Sequence, residues 1–145
     1  MALPPQKFRE IVFQILFSSE FAGGDLDETA LMLMGELKVT KRAVMEALGR
    51  TRQVLSQKEG IDEAIRQVSQ EYQFERISSA EKCALRLGCF EILHDPTLSS
   101  KIAIAEAIRL TRKFGTPSSA DFVNALLDHL YKRSHAPELA ESPTS

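Results

Sequence analysis

From residue 6 to residue 95 the chain contains no proline. A run of that length, rich in Ala, Leu, Glu, Lys, Arg and Gln, keeps every backbone N–H available for an internal ladder and predicts helices without sheet. The six prolines, Pro4, Pro5, Pro96, Pro117, Pro137 and Pro143, punctuate the ends of that run and the segments beyond it. With 145 residues, 43% of them apolar, the chain has enough material for one sizeable core. Its longest apolar stretches fall far short of a bilayer span, and MALPPQKFREIVF lacks the apolar core of a secretory signal. A reduced, cytoplasmic, soluble protein is expected.

The apolar periodicity divides the chain into about seven helices. The first begins after Pro4-Pro5 and carries Phe8, Ile11, Val12, Ile15 and Leu16 on one face, with Phe13 and Phe17 off that stripe. Gly23-Gly24 is expected to stop it. A short helix covers about 27–37. A third starts behind Thr40 as N-cap and is expected to run to Gly60, and a fourth carries Ile61, Ile65 and Val68 to about Tyr72. Ser78 and Glu81 have capping-box spacing ahead of a helix over about 79–94, apolar on nearly every side and therefore central. Residues 100–114 form the next helix, stopped by Gly115; Ser118 and Asp121 repeat the capping spacing before the last. Residues 1–133 are thus expected as one all-α domain, and the polar residues 134–145 as a disordered tail.

No catalytic constellation emerges. His94, His129 and His135 have no metal-ligand spacing with Cys, Asp or Glu, and no glycine-rich phosphate loop is present. Cys83 and Cys89 lie about 120° apart around one helix, so they neither pair nor share a metal. Neither an enzyme nor a cofactor is expected. Lys plus Arg total 18 against 20 Asp plus Glu, a net charge of −2, which excludes a strongly basic nucleic-acid binder but not a local basic patch. Such a patch exists: Arg109, Arg112 and Lys113 share a helical face, followed by Phe114, a Gly-Thr-Pro-Ser-Ser turn and Phe122. Cations beside aromatic rings in a turn suit single-stranded RNA, whose phosphates need charge and whose bases stack. A second basic run, Lys41, Arg42, Arg50, Arg52 and Lys58, is interleaved with Glu46 and Glu59 and reads as a solvated face.

The segment Arg76-Ile77-Ser78-Ser79-Ala80-Glu81-Lys82, with Leu85-Arg86-Leu87 and Phe90-Glu91-Ile92-Leu93, resembles the central part of the bacterial NusB family of transcription antitermination factors. Ile102 to Ala107, Lys113-Phe114-Gly115 and Phe122 to Asp128 follow in the family's order, and Arg9-Glu10 with Gln14 to Phe17 resemble its first helix. The resemblance spans roughly residues 6–131. It implies an all-helical fold of two subdomains and a binding protein with no reaction of its own. The implied partners are boxA RNA of ribosomal RNA leaders, the ribosomal protein NusE and an antitermination complex on RNA polymerase; the free chain could also form a homodimer. The RNA contacts it implies are Lys7 and Arg9 to phosphate, Phe17, Phe114 and Phe122 to bases, and Lys113, Ser118 and Asn124 as polar contacts. Glu81 and Arg86 are the implied NusE contacts. The alternative is a helical adaptor that binds NusE with little RNA affinity of its own.

Overall fold

The computed structural model describes residues 3–22, 25–69 and 73–135. Among them lie seven α-helices, one 3-10 turn and no strand. In chain order these are α1 (Pro5–Ala22), α2 (Leu26–Leu37), α3 (Lys41–Ser56), α4 (Lys58–Val68), the 3-10 turn Phe74–Arg76, α5 (Ser79–His94), α6 (Ser100–Phe114) and α7 (Pro117–Ser134). The all-α expectation is met. The fourth helix ends at Val68, short of the expected Tyr72, and Ser134, expected to begin the tail, is the last residue of α7. The Gly23-Gly24 stop, Tyr72 itself and the tail beyond His135 lie outside the described residues. The chain divides into two compact units, Met1–Lys58 and Glu59–Ser145.

In the first unit α1 packs on α2 and α3, and these two pack on each other. Asp25 caps α2 by accepting from the Asp27 N–H at 2.9 Å, and Thr40 caps α3 by accepting from the Ala43 N–H at 3.1 Å. Arg52 of α3 reaches Asp27 of α2 at 3.0 Å, tying the end of one helix to the start of the other. The α2 C-cap is Lys38 in the left-handed region, with φ 54° and ψ 44°. A side chain with a Cβ is strained there, whereas glycine is not. Lys38→Gly is expected to stabilise the protein by about 1 kcal/mol, read as a rise in melting temperature.

In the second unit α5 is central, as its all-round apolar pattern predicts. Cys83 to Glu91 are buried without interruption, and both α6 and α7 pack against it. Gly88 permits that closeness: a Cβ there would stand 2.8 Å from Leu127 Cδ1 and 3.3 Å from Ala107 Cβ. Ser99 caps α6 by accepting from the Ile102 N–H at 3.2 Å, so the alternating Ile102-Ala103-Ile104 is helical.

Three further expectations change. Phe13, off the predicted stripe, is fully buried, because α1 is buried continuously from Arg9 to Phe13 and not along one face. The break after α3 falls at Gln57, whose N–H bonds to the Val54 carbonyl in a tightened turn; Gly60 sits inside the first turn of α4. A glycine is tolerated there because first-turn N–H groups have no intrahelical partner in any case. The cap of α7 is Thr116, which accepts from the Ser119 N–H at 3.2 Å, and not Ser118. Pro117 explains the shift: it suits the first helical position and holds the residue before it extended.

Candidate functional site

The helical capping signals position the first candidate surface, at the start of α5. The Ser78 N–H and hydroxyl both donate to Glu81 Oε1, at 3.4 and 2.6 Å, while the Glu81 N–H donates to Ser78 Oγ at 3.2 Å. This is the capping box that the spacing predicted. It leaves Glu81 half-buried at the rim of α5.

Arg86 is turned inward. It is 5% exposed, and its Nε and Nη2 donate to the two Asp62 carboxylate oxygens at 2.9 and 3.0 Å. Nothing in local sequence marks Asp62 as its partner, since 24 residues separate them. Phe74, buried in the 3-10 turn, completes the cluster. Arg66 Cζ lies 4.5 Å, Lys82 Nζ 4.7 Å and Arg86 Cζ 5.8 Å from its ring centroid, and Arg66 also meets Glu75 at 3.7 Å. Cations over an aromatic face are attracted by its quadrupole. Burial, with the Asp62 charge adding to it, pushes the nearby Cys89 thiol up to about 12. Native protein treated with iodoacetamide at pH 8 is therefore expected to leave Cys89 unlabelled, and denatured protein to label it, as mass spectrometry would show. The same shift makes strong alkali destabilising: the unfolded chain releases this proton near the ordinary value of 9.0, and the folded chain holds it up to about 12.

The second surface is the turn from α6 to α7. Glu106 takes Arg109 at 2.7 Å, so of the predicted basic face Arg112 and Lys113 are the members most exposed to solvent. Lys113 Nζ stands 5.8 Å over the half-buried Phe114 ring. Gly115 closes α6, its N–H donating to the Thr111 carbonyl at 2.7 Å; a Cβ there would meet the same oxygen at 2.8 Å. Thr116 Oγ1 then lies 3.2 Å from Ser118 Oγ and 2.9 Å from Ser119 Oγ, a knot of hydroxyls at the start of α7. Ser118 and the half-buried Phe122 are one helical turn apart and share a face. Asn124 is exposed but about 200° round the helix from Phe122, so α7 does not bring those two together.

The remaining candidates belong to the first unit. Lys7 is half-buried, and Arg9 is only 8% exposed. Phe17 is half-buried about 12 Å along α1 from Arg9. It stacks on Phe13 at 6.0 Å and meets Phe21 edge-on at 4.9 Å. Successive i, i+4 steps advance about 40° around a helix, so this ladder winds from the core at Phe13 to Phe21, which is 68% exposed. Phe21 continues the i, i+4 spacing of Phe13 and Phe17, a signal the sequence carries. Among the described residues no three His, Cys, Asp or Glu gather as metal ligands, and no helix is long and apolar enough to cross a membrane.

The class of protein follows from these features: an all-helical fold in two compact units, with polar and aromatic side chains displayed at helix ends. The family model described as NusB family matches residues 6–132, and the chain belongs to that family. It is 35% identical over 132 residues to the transcription antitermination protein NusB of Dehalococcoides mccartyi (strain CBDB1), covering 91% of this chain and 92% of the relative. The protein of the same name from Chlamydia pneumoniae is 33% identical over 131 residues, covering 90% and 82%. T. maritima NusB superposes with a TM-score of 0.80 at 29% identity, covering 91% of this chain and 93% of that one. A crystal structure of antitermination factors NusB and NusE in complex with dsRNA contains a chain that superposes with a TM-score of 0.78 at 22% identity. It covers 88% of this chain and 96% of that one, and shares the fold.

Proposed function

We propose that this protein is a cytoplasmic transcription antitermination factor that binds boxA RNA of ribosomal RNA leaders jointly with NusE and joins an antitermination complex on RNA polymerase. It acts by binding and catalyses no reaction, with residues 1–133 as the functional domain. The observation that carries this reading is the family match over residues 6–132 to proteins named for antitermination. The α6–α7 turn supports it chemically, with exposed Lys113 and Ser118 for phosphate and polar groups and half-buried Phe114 and Phe122 for bases; exposed Asn124 is a proposed polar contact on another face of α7. Lys7, Arg9 and Phe17 are the proposed RNA contacts of the first unit, and Glu81 is the proposed NusE contact. The second reading, an adaptor for NusE with little RNA affinity, draws on the burial of Arg9 and the pairing of Arg109 with Glu106, both of which withdraw charge from phosphate.

Titration of boxA RNA with and without NusE at two salt concentrations tests both. Of the cations proposed to meet RNA only Lys113 is exposed, Lys7 being half-buried and Arg9 buried. Counterion release at these contacts is therefore small, and RNA binding by the protein alone is expected to be weak and to tighten when NusE is added. Tight, NusE-independent binding at physiological salt would overturn the joint-binding model. Binding of NusE with no gain in RNA affinity would favour the adaptor.

Variants separate the two surfaces. Phe122→Ala is expected to weaken boxA binding by roughly ten- to a hundredfold through lost stacking, with melting temperature followed because the ring is half-buried. Lys113→Ala removes a phosphate contact and leaves the fold intact. Glu81→Lys is expected to weaken NusE binding by charge reversal, at a cost of about 1 kcal/mol from the capping box. Gel shift reads the RNA arm and pull-down the NusE arm. Loss of NusE binding in Lys113→Ala with RNA binding retained would reverse the assignment.

A further inference from the structure

Glu81 and Arg86 are five residues apart on α5, about 140° around the helix, so they do not present themselves to one flat partner surface. Arg86 lies one turn beyond Lys82, and both side chains are directed at Phe74. The guanidinium is spent on Asp62 through two parallel hydrogen bonds, which fix its angle as well as its distance. This cluster joins three segments: α4 through Asp62 and Arg66, the 3-10 turn through Phe74 and Glu75, and the first two turns of α5 through Lys82 and Arg86. The Ser78–Glu81 capping box begins two residues after that turn ends.

We propose that Asp62, Arg86 and Phe74 form a positioning device for the NusE-binding face at the start of α5, and that Arg86 acts through this device without touching NusE. The proposal rests on the reading of Glu81 as a NusE contact. With both charges compensated, the pair holds α4 and the 3-10 turn to α5. A lone buried charge, or a lysine that cannot make the two parallel bonds, would loosen that arrangement, whereas two apolar side chains need no such compensation. Glu81 then meets its partner from a fixed backbone.

The test compares NusE affinity, its salt dependence, melting temperature and circular dichroism for the wild-type chain, Asp62→Asn, Arg86→Met and the double variant Asp62→Leu/Arg86→Met. Replacing both members of a buried ion pair with apolar groups commonly preserves a fold that losing one member damages. Each single variant is expected to lose about tenfold or more in NusE affinity at temperatures where it remains folded, and the double variant to recover most of that loss. The salt dependence of NusE binding is expected to stay as in wild type, because no interfacial charge has been removed. If the double variant folds as wild type does but binds no better than Arg86→Met, or if the salt dependence falls, Arg86 touches NusE and the proposal is overturned. Wild-type affinity in Asp62→Asn overturns it as well. Should the double variant fail to fold, Arg86→Lys decides: retained affinity points to a charge contact, and lost affinity with helicity retained to positioning. Absence of NusE binding by the wild-type chain is a distinct outcome that overturns the functional reading and the positioning role together.

Discussion

Asp62→Ala is expected to destabilise the protein by about 3–5 kcal/mol, because it takes from Arg86 the carboxylate that answers a buried guanidinium. The two side chains are 6% and 10% exposed, so water does not replace what the substitution removes. For a chain of this size the loss corresponds to a fall in melting temperature of roughly 10 °C, read by circular dichroism on heating. Glu46→Ala is the control. It breaks the Arg42–Glu46 pair, whose side chains are 90% and 54% exposed, and is expected to leave the melting temperature near that of the wild type. Equal effects from the two substitutions would show that the buried pair does not organise α4 and α5.

Gly88→Val is expected to cost about 3 kcal/mol through overpacking at the centre of the second unit. A single Cβ already stands within 2.8 Å of Leu127 Cδ1, and valine adds two methyl groups beyond it. Leu127 and Ala107 are themselves buried, so neither has open space to move into. Denaturant unfolding measures the loss. Leu127→Ala introduced into the Gly88→Val chain is expected to restore part of it, by vacating the volume the valine needs. Full stability in Gly88→Val alone would mean that α5, α6 and α7 have slack at this level.

Local chemistry was legible in the sequence wherever a helix end depends on residues within four positions of it. Thr40 and the Ser78–Glu81 box act as their spacing predicted. Pro117 carried the information that Thr116 caps α7, but the Ser118–Asp121 spacing resembles a capping box and misled by two residues. Gly60 shows the limit of punctuation: glycine permits a helix to end and does not compel it to, and here the chain turns three residues earlier. The candidate site divides in the same way. Ser118 and Phe122 share a face by helical spacing alone, and the same spacing sets Asn124 apart. The exposure of each aromatic depends on what packs beside it. Phe13 is buried, Phe17 half-buried and Phe21 exposed, although all three repeat at the same interval.

The sequence by itself determined that this protein is all-helical, where most of its helices begin and end, that α5 is central, and that a basic and aromatic turn joins α6 to α7. Those properties arise from hydrogen bonds and side-chain periodicity within one or two helical turns, so neighbours in sequence suffice to set them. Tertiary structure alone decided which charges are buried, and with whom. Asp62 meets Arg86 across 24 residues, Arg52 meets Asp27 across 25, and Arg66 and Lys82 close on Phe74 from different helices. A charge leaves water only when a partner compensates its desolvation, and which partner arrives is fixed by the packing of helices that no local pattern encodes.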